Sequence, residues 1–154
     1  STLMAKKISL KLGYESPFTV FSVFTSEKEY RLAWLINQQL GIELKRIPDY
    51  SHYFSESQSG YFPIYRHHYK QYRMQMFLLG NKGEEGPIVN SSPVPDFLIL
   101  FWNRSGLFDL KQFQKDVKKI QQVQTLVELN QKTLAKHEDF FYGLEYFLTE
   151  QKVI

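Results

Sequence analysis

Aromatic and basic residues alternate from Tyr65 to Arg73, with no acidic residue among them. Single-stranded nucleic acid binds to such combinations, because bases stack on aromatic rings while cations contact the phosphates. Half-buried antiparallel strands are also rich in tyrosine, and the glycine spacing of an RNA-recognition strand is missing, so packing is the competing interpretation. The candidate binding residues are Tyr65, His67, Tyr69, Lys70, Tyr72 and Arg73.

Histidines and carboxylates are the other side chains with possible chemistry. The neighbouring His67 and His68 point to opposite faces of a strand and cannot bind one ion together, so a metal site would need ligands from other segments, such as His52 or His137. Asp96 lies beside aromatic residues, where it could be an active-site acid with a raised pKa or, more simply, an acceptor of backbone amides. We predict no metal ligands.

Motifs that would indicate catalysis are missing from the sequence. The segment at 80–86 lacks the spacing and the Lys-Ser/Thr end of a phosphate-binding loop, and neither a Gly-x-Ser-x-Gly elbow nor a His-Glu-x-x-His pair occurs. No cysteine is present, which excludes thiolate chemistry and disulfides. An enzyme built around Asp96 and His67 is therefore the weakest hypothesis, and we predict no catalytic residue and no cofactor.

Composition indicates a soluble domain. The chain has 154 residues, 43% of them hydrophobic, and a net charge of +3 that is too small to specify a partner. No apolar run approaches the roughly 20 residues of a membrane span. The sequence thus predicts a cytoplasmic protein without membrane contact.

Strands are predicted wherever apolar residues alternate or run together. The run from Phe97 to Trp102 predicts a central strand that is buried on both faces, with Phe97, Ile99 and Phe101 opposite Leu98, Leu100 and Trp102. Pro48 to Gly60 is polar and rich in turn residues, which predicts a mobile loop. Further strands are predicted over 7–12, 18–24, 42–47, 61–70, 72–79 and 123–129.

Helices are predicted from caps and from apolar residues at helical spacing. Ser26 and Glu29 have the spacing of a capping box, and Gly41 suits the end of the same helix. Asp109 can cap a second helix over 110–122. In the tail, one helical face is apolar and must dock either on its own domain or on another copy; its members are Phe140, Phe141, Leu144, Phe147 and Leu148.

Consecutive strands without intervening helices favour an α+β fold, with a mostly antiparallel sheet and two or three helices packed on it. We expect a single domain over residues 6–142 and a C-terminal extension over 143–154.

Three segments resemble the IPExxxVDY family, small bacterial proteins of unknown function. They are EKEYRLAWLINQQLGIELKR at 27–46, FLLGNK at 77–82 and TLAKHEDFFY at 133–142. The motif that names the family falls before the central strand, where this chain departs from it. If Asp96 and Phe97 stand for the Asp-Tyr pair, the Pro and Glu are lost; if Val94-Pro95-Asp96 stands for Ile-Pro-Glu, the later Asp is absent. The resemblance implies a domain plan and no mechanism.

Two functions remain as hypotheses. The first is a non-catalytic protein-interaction module that binds another protein or forms a homodimer, with the apolar face from Phe140 to Leu148 as its interface. The alternative is a module for single-stranded nucleic acid that uses the residues between Tyr65 and Arg73.

Overall fold

A computed structural model of the protein describes residues 14–154, so the strand predicted at 7–12 lies outside the described part. The strands of this part are β1 (Phe18–Phe24), β2 (Lys45–Tyr53), β3 (Ser59–Tyr69), β4 (Met74–Gly80), β5 (Lys82–Gly83), β6 (Gly86–Pro87), β7 (Phe97–Trp102) and β8 (Thr125–Glu128). The helices are α1 (Glu29–Leu40), α2 (Leu110–Lys118), α3 (Gln131–Lys136) and α4 (Glu138–Glu150), and a 3-10 turn spans Lys70–Tyr72.

Six strands form one antiparallel sheet in the order β2-β3-β4-β7-β1-β8, while β5 and β6 make a separate small hairpin. β7 pairs with β4 on one side and with β1 on the other, so it lies in the interior of the sheet. The predicted α+β fold with a mostly antiparallel sheet is confirmed. In the described part of the chain, β2 and β8 form the two edges.

Helices cover both faces of the sheet. On the front face, Phe97, Ile99 and Phe101 of β7 belong to one core cluster with residues of α1 and α2. On the rear face, Leu98 and Leu100 belong to a second cluster with residues of α3 and α4. The prediction that β7 is buried on both faces is therefore confirmed, because alternate side chains enter two different cores.

The start of α1 differs from its prediction. Lys28 occupies the N-cap position with no side-chain hydrogen bond, so the capping box between Ser26 and Glu29 does not form. Instead, the Thr25 hydroxyl accepts from the Glu27 amide at 3.1 Å, and this turn delays the helix. Gly41 ends α1 in the left-handed conformation at φ 67°, as predicted. At α2 the predicted cap is confirmed, because the Asp109 side chain accepts from the Gln112 amide.

The prediction of a mobile loop at 48–60 is wrong, because β2 continues to Tyr53 and β3 begins at Ser59. Pro48 lies in β2, where the register shifts between Ile47 and Tyr50. A proline fits there because β2 is an edge strand and the irregularity removes the need for its missing amide hydrogen.

The C-terminal segment is a structural part of the domain. The boundary expected after Tyr142 falls inside α4, which runs without interruption from Glu138 to Glu150. Leu144 and Leu148 lie beyond that boundary and are completely buried in the rear core.

Candidate binding groove

The aromatic residues predicted to stack nucleic-acid bases are used for packing in the structure. Tyr65 is buried, and the Tyr69 ring packs against Phe108 at 5.1 Å and Tyr72 at 6.2 Å between centroids. Burial raises the pKa of Tyr69 to about 12. Lys70 and Arg73 of the same set are exposed. Lys70 and Arg73 thus face solvent, while the rings of Tyr69 and Tyr72 pack against Phe108 in the loop before α2.

A groove of about 230 Å³ does open beside these rings, but its charges are unsuited to phosphate. Asp109 and Asp116 line it together with Tyr69, Tyr72 and Phe108. Carboxylates at this position would repel a nucleic-acid backbone.

The side chains of His67 and Asp96 accept hydrogen bonds from backbone amides at two separate places in the fold. His67 Nδ1 accepts from the Glu43 amide at 3.2 Å, and burial, the largest influence, lowers the pKa of this ring. Asp96 accepts from the Thr25 amide at 3.0 Å and pairs with Lys82 Nζ at 2.8 Å. The expectation that Asp96 accepts backbone amides is confirmed. The groove that Asp96 lines does not include His67, so the two residues do not share that site.

The residues proposed as an interface cover the sheet of their own chain. Phe140, Phe141, Leu144 and Leu148 are buried in the rear core, and Phe147 packs against it partly exposed. The sequence left two possibilities for this apolar face, docking on its own domain or on another copy, and in the structure it docks on its own domain. Any partner of α4 must therefore use its outward side.

That outward side of α4 forms one wall of a groove of about 330 Å³, and the second half of β2 forms the other wall. From α4, Asp139, Gly143, Tyr146 and Glu150 follow one another at spacings of four, three and four residues, which places them on one helix face. The remaining lining residues are Tyr50, Ser51, His52, Tyr53, Phe140 and Phe147.

Aromatic packing fixes the floor of the groove. The Tyr50 ring contacts Phe140 and Phe147 in T-shaped arrangements, with centroids 5.8 and 5.4 Å apart. A Cβ atom at Gly143 would lie 3.4 Å from Tyr50 Oη, so the backbone of α4 passes close to the Tyr50 side chain at this glycine. The phenol oxygen of Tyr50 lies 3.0 Å from His52 Nδ1. These contacts hold the two walls in a fixed relation.

Burial determines the protonation states on the floor. It raises the pKa of Tyr50 above its ordinary value and lowers the pKa of His52 below 6.5. At neutral pH the phenol therefore keeps its proton and the imidazole is uncharged. The charge of the groove then comes from the carboxylates of Asp139 and Glu150, because no lysine or arginine lines it.

The rim carries large exposed rings. Tyr53 is 69% exposed and Tyr146 is 70% exposed, and each lies on one of the two walls. Exposed aromatic residues of this kind are typical of protein-binding surfaces. Tyr30 and Trp34 on α1 are also exposed, but α1 covers the opposite face of the sheet.

Sequence reasoning missed Tyr53, Gly143, Tyr146 and Glu150. The apolar stripe that indicated an interface in the tail is the buried side of the helix. The informative signal was on the other side of the same helix, where tyrosine and acidic residues take positions that the core does not need.

Within residues 14–154, no three or more histidine, aspartate or glutamate side chains come together in a way that could hold a metal ion. None of the helices in this range combines the length and the apolar character that crossing a membrane requires.

Comparison with known proteins adds no assignment. No protein-family model matches the chain, and neither the curated proteins nor the solved structures contain a significant match.

Proposed function

We propose that the protein is a non-catalytic interaction module that binds an extended segment of another protein in the groove between β2 and α4. One observation carries the proposal: an edge strand of the sheet and an aromatic helix face form the two walls of the same groove. An extended segment can pair with a sheet edge through its backbone while its alternate side chains enter an adjoining pocket.

The edge of β2 suits this role at one end. Pro48 and the register shift interrupt its first half, which discourages uncontrolled pairing along the whole strand. The second half, from Tyr50 to Tyr53, pairs with β3 in regular register on one side and lines the groove. Within residues 14–154, the available edge is therefore short and lies next to the pocket that would give specificity.

Random peptides displayed on phage and selected against the full chain test the proposal. We expect selected peptides to bind wild type and to lose about tenfold or more in affinity against the double variant Tyr53→Ser/Tyr146→Ser, because exposed aromatic anchors dominate such interfaces. Trp34→Ser removes a ring that is 51% exposed from the opposite face and is the control.

Three outcomes of this experiment differ in meaning. Peptides that bind the double variant as well as wild type would contradict the assignment of the groove. A selection without specific binders would contradict the proposed function itself. Light scattering on the chain alone identifies a second copy as the partner if wild type is a dimer and the double variant is a monomer.

A further inference from the structure

The C-terminal end of α4 has an unusual charge. Glu150 is the last residue of the helix, and the last turn contains no basic residue. A helix C-terminus carries a partial negative charge, so a carboxylate there is unfavourable and a cation is favourable. Asp139 lies at the other end of the same groove, in the first turn of α4, where a carboxylate is favourable. The helix dipole therefore favours an added positive charge at the Glu150 end and disfavours one at the Asp139 end.

Some carboxylates that line other grooves of this protein have cationic partners. Asp96 pairs with Lys82 at 2.8 Å, and Asp116 lies 3.6 Å from Lys119. Within residues 14–154, Glu150 takes part in none of the ion pairs. Lys152 follows two residues later in the chain but does not line the groove. Glu150 thus offers its charge to the groove.

Aromatic rings lie next to this carboxylate. Tyr146 precedes Glu150 by one helical turn on the same face, and Phe147 also lines the groove. Ring faces attract cations, and they also pack against the methylene groups that carry a side-chain charge. His52 adds no repulsion, because burial keeps its imidazole neutral.

We propose that the Glu150 end of the groove binds a lysine or arginine side chain of the bound segment, between the Glu150 carboxylate and the Tyr146 ring. This inference rests on the proposed function and names the chemistry of the partner. Asp139 and Glu150 are eleven residues apart, which corresponds to about 16 Å along a helix axis. A segment of about five extended residues spans that length, so it needs one basic residue at the Glu150 end.

Nuclear magnetic resonance titration of the full chain with four small probes tests the inference. Two are cationic, N-acetyl-lysine methylamide and N-acetyl-arginine methylamide. N-acetyl-norleucine methylamide keeps the apolar stem without the charge, and N-acetyl-glutamate methylamide reverses it. We expect saturable shifts of the Tyr146 and Glu150 amides with both cationic probes, at dissociation constants in the millimolar range. The norleucine probe should bind at least about fivefold more weakly and the glutamate probe should not bind.

Three substitutions locate the interaction. Glu150→Gln should weaken the affinity for the lysine probe by about three- to fivefold. Asp139→Asn removes the same charge at the other end of the groove and should change this affinity by less than about twofold. Tyr146→Leu keeps an apolar side chain but removes the ring face, and it should weaken the lysine probe by about threefold. Glu150→Gln should also raise the melting temperature slightly, because it removes an unfavourable charge from the helix end.

Any of three results would overturn the cation site. They are equal binding of the lysine and norleucine probes, no effect of Glu150→Gln, and no shift of groove signals at 100 mM probe, which is roughly a hundred times a millimolar dissociation constant. Extended peptides that bind the groove equally well with norleucine in place of their basic residue would also overturn it, and they would leave the interaction module intact. Cationic probes that bind while display selection yields nothing would support the site and contradict the broader proposal.

Discussion

Asn81 organises the connection between β4 and β7 through its side-chain amide. Its Nδ2 donates to the carbonyl oxygens of Val89 at 3.0 Å and Pro95 at 2.8 Å, and its Oδ1 accepts from the Val89 amide at 2.7 Å. Asn81 is completely buried, so water does not replace these partners. This one side chain therefore fixes the entrance of β7 where Asp96 lies.

We expect Asn81→Ala to lower the free energy of unfolding by about 3 kcal/mol or more, because each buried group left without a partner costs about 1–3 kcal/mol. Urea denaturation measures the change. Asn90→Ala removes an exposed asparagine from the same connection and should change the free energy of unfolding by less than about 0.5 kcal/mol. Equal midpoints for the two variants would show that the Asn81 network is not needed.

His52 makes stability depend on pH. Burial lowers the pKa of His52 in the folded state below the ordinary value of 6.5. On acidification below pH 6.5, the unfolded chain therefore binds a proton at His52 more readily than the folded chain does. The free energy of unfolding should therefore be highest above pH 6.5 and fall on acidification towards the folded pKa. His67 has a pKa shifted in the same direction and adds to the effect.

Nuclear magnetic resonance of the imidazole signals tests this directly. The titration midpoint of His52 in the folded chain should lie below 6.5, and His52→Gln should reduce the loss of stability on acidification. A midpoint at or above 6.5 would mean that the groove floor is more hydrated than the packing of Tyr50 and Phe140 implies.

Helix α4 packs against the sheet with one side and lines the groove with the other. Its apolar stripe fills the rear core, while Gly143 sits on the groove side in the middle of the helix. A glycine inside a helix costs about 0.5–1 kcal/mol relative to alanine, and a Cβ atom here would make only an ordinary contact of 3.4 Å with Tyr50 Oη. Groove shape is the physical role that the structure gives to this glycine.

Gly143→Ala should accordingly raise the free energy of unfolding by about 0.5–1 kcal/mol and narrow the groove. Gly41→Ala is the contrasting change, because Gly41 has φ 67° and alanine there is strained, so stability should fall by about 1 kcal/mol. Thermal unfolding compares both variants with wild type. A loss of stability in Gly143→Ala would contradict the ordinary contact with Tyr50 Oη that the structure gives an added Cβ atom.

Sequence patterns predicted the buried elements better than the exposed ones. The alternation in β7 reports two cores directly, because every side chain in it is apolar and enters one or the other. Pro48 misled the prediction for β2, because proline usually stops a strand, and only the sheet order reveals that β2 is an edge. The capping box of α1 was mispredicted for a similar reason. Asp96, 71 residues away in sequence, accepts from the Thr25 amide, and the Thr25 hydroxyl accepts from the Glu27 amide, so a turn takes the place of the box that Ser26 would begin.

The whole domain is a sheet between two helical layers, and each layer closes a core of its own. α1 and α2 close the front core, while α3 and α4 close the rear core, and α4 also forms the groove with β2. The sequence indicated that the tail docks somewhere, but an apolar stripe has the same pattern whether it meets its own sheet or a partner. The groove could not be predicted because it joins residues about 90 positions apart, from Tyr50 to Gly143.

The most direct test of the interaction module is the change in backbone amide signals when a display-selected peptide is added to the full, isotope-labelled chain. We expect the largest shifts on Tyr50 to Tyr53 and on the groove side of α4. We also expect the β2 amides to exchange with solvent more slowly in the complex. Shifts confined to α1 or to the stretch from Tyr65 to Arg73, with β2 unchanged, would contradict it.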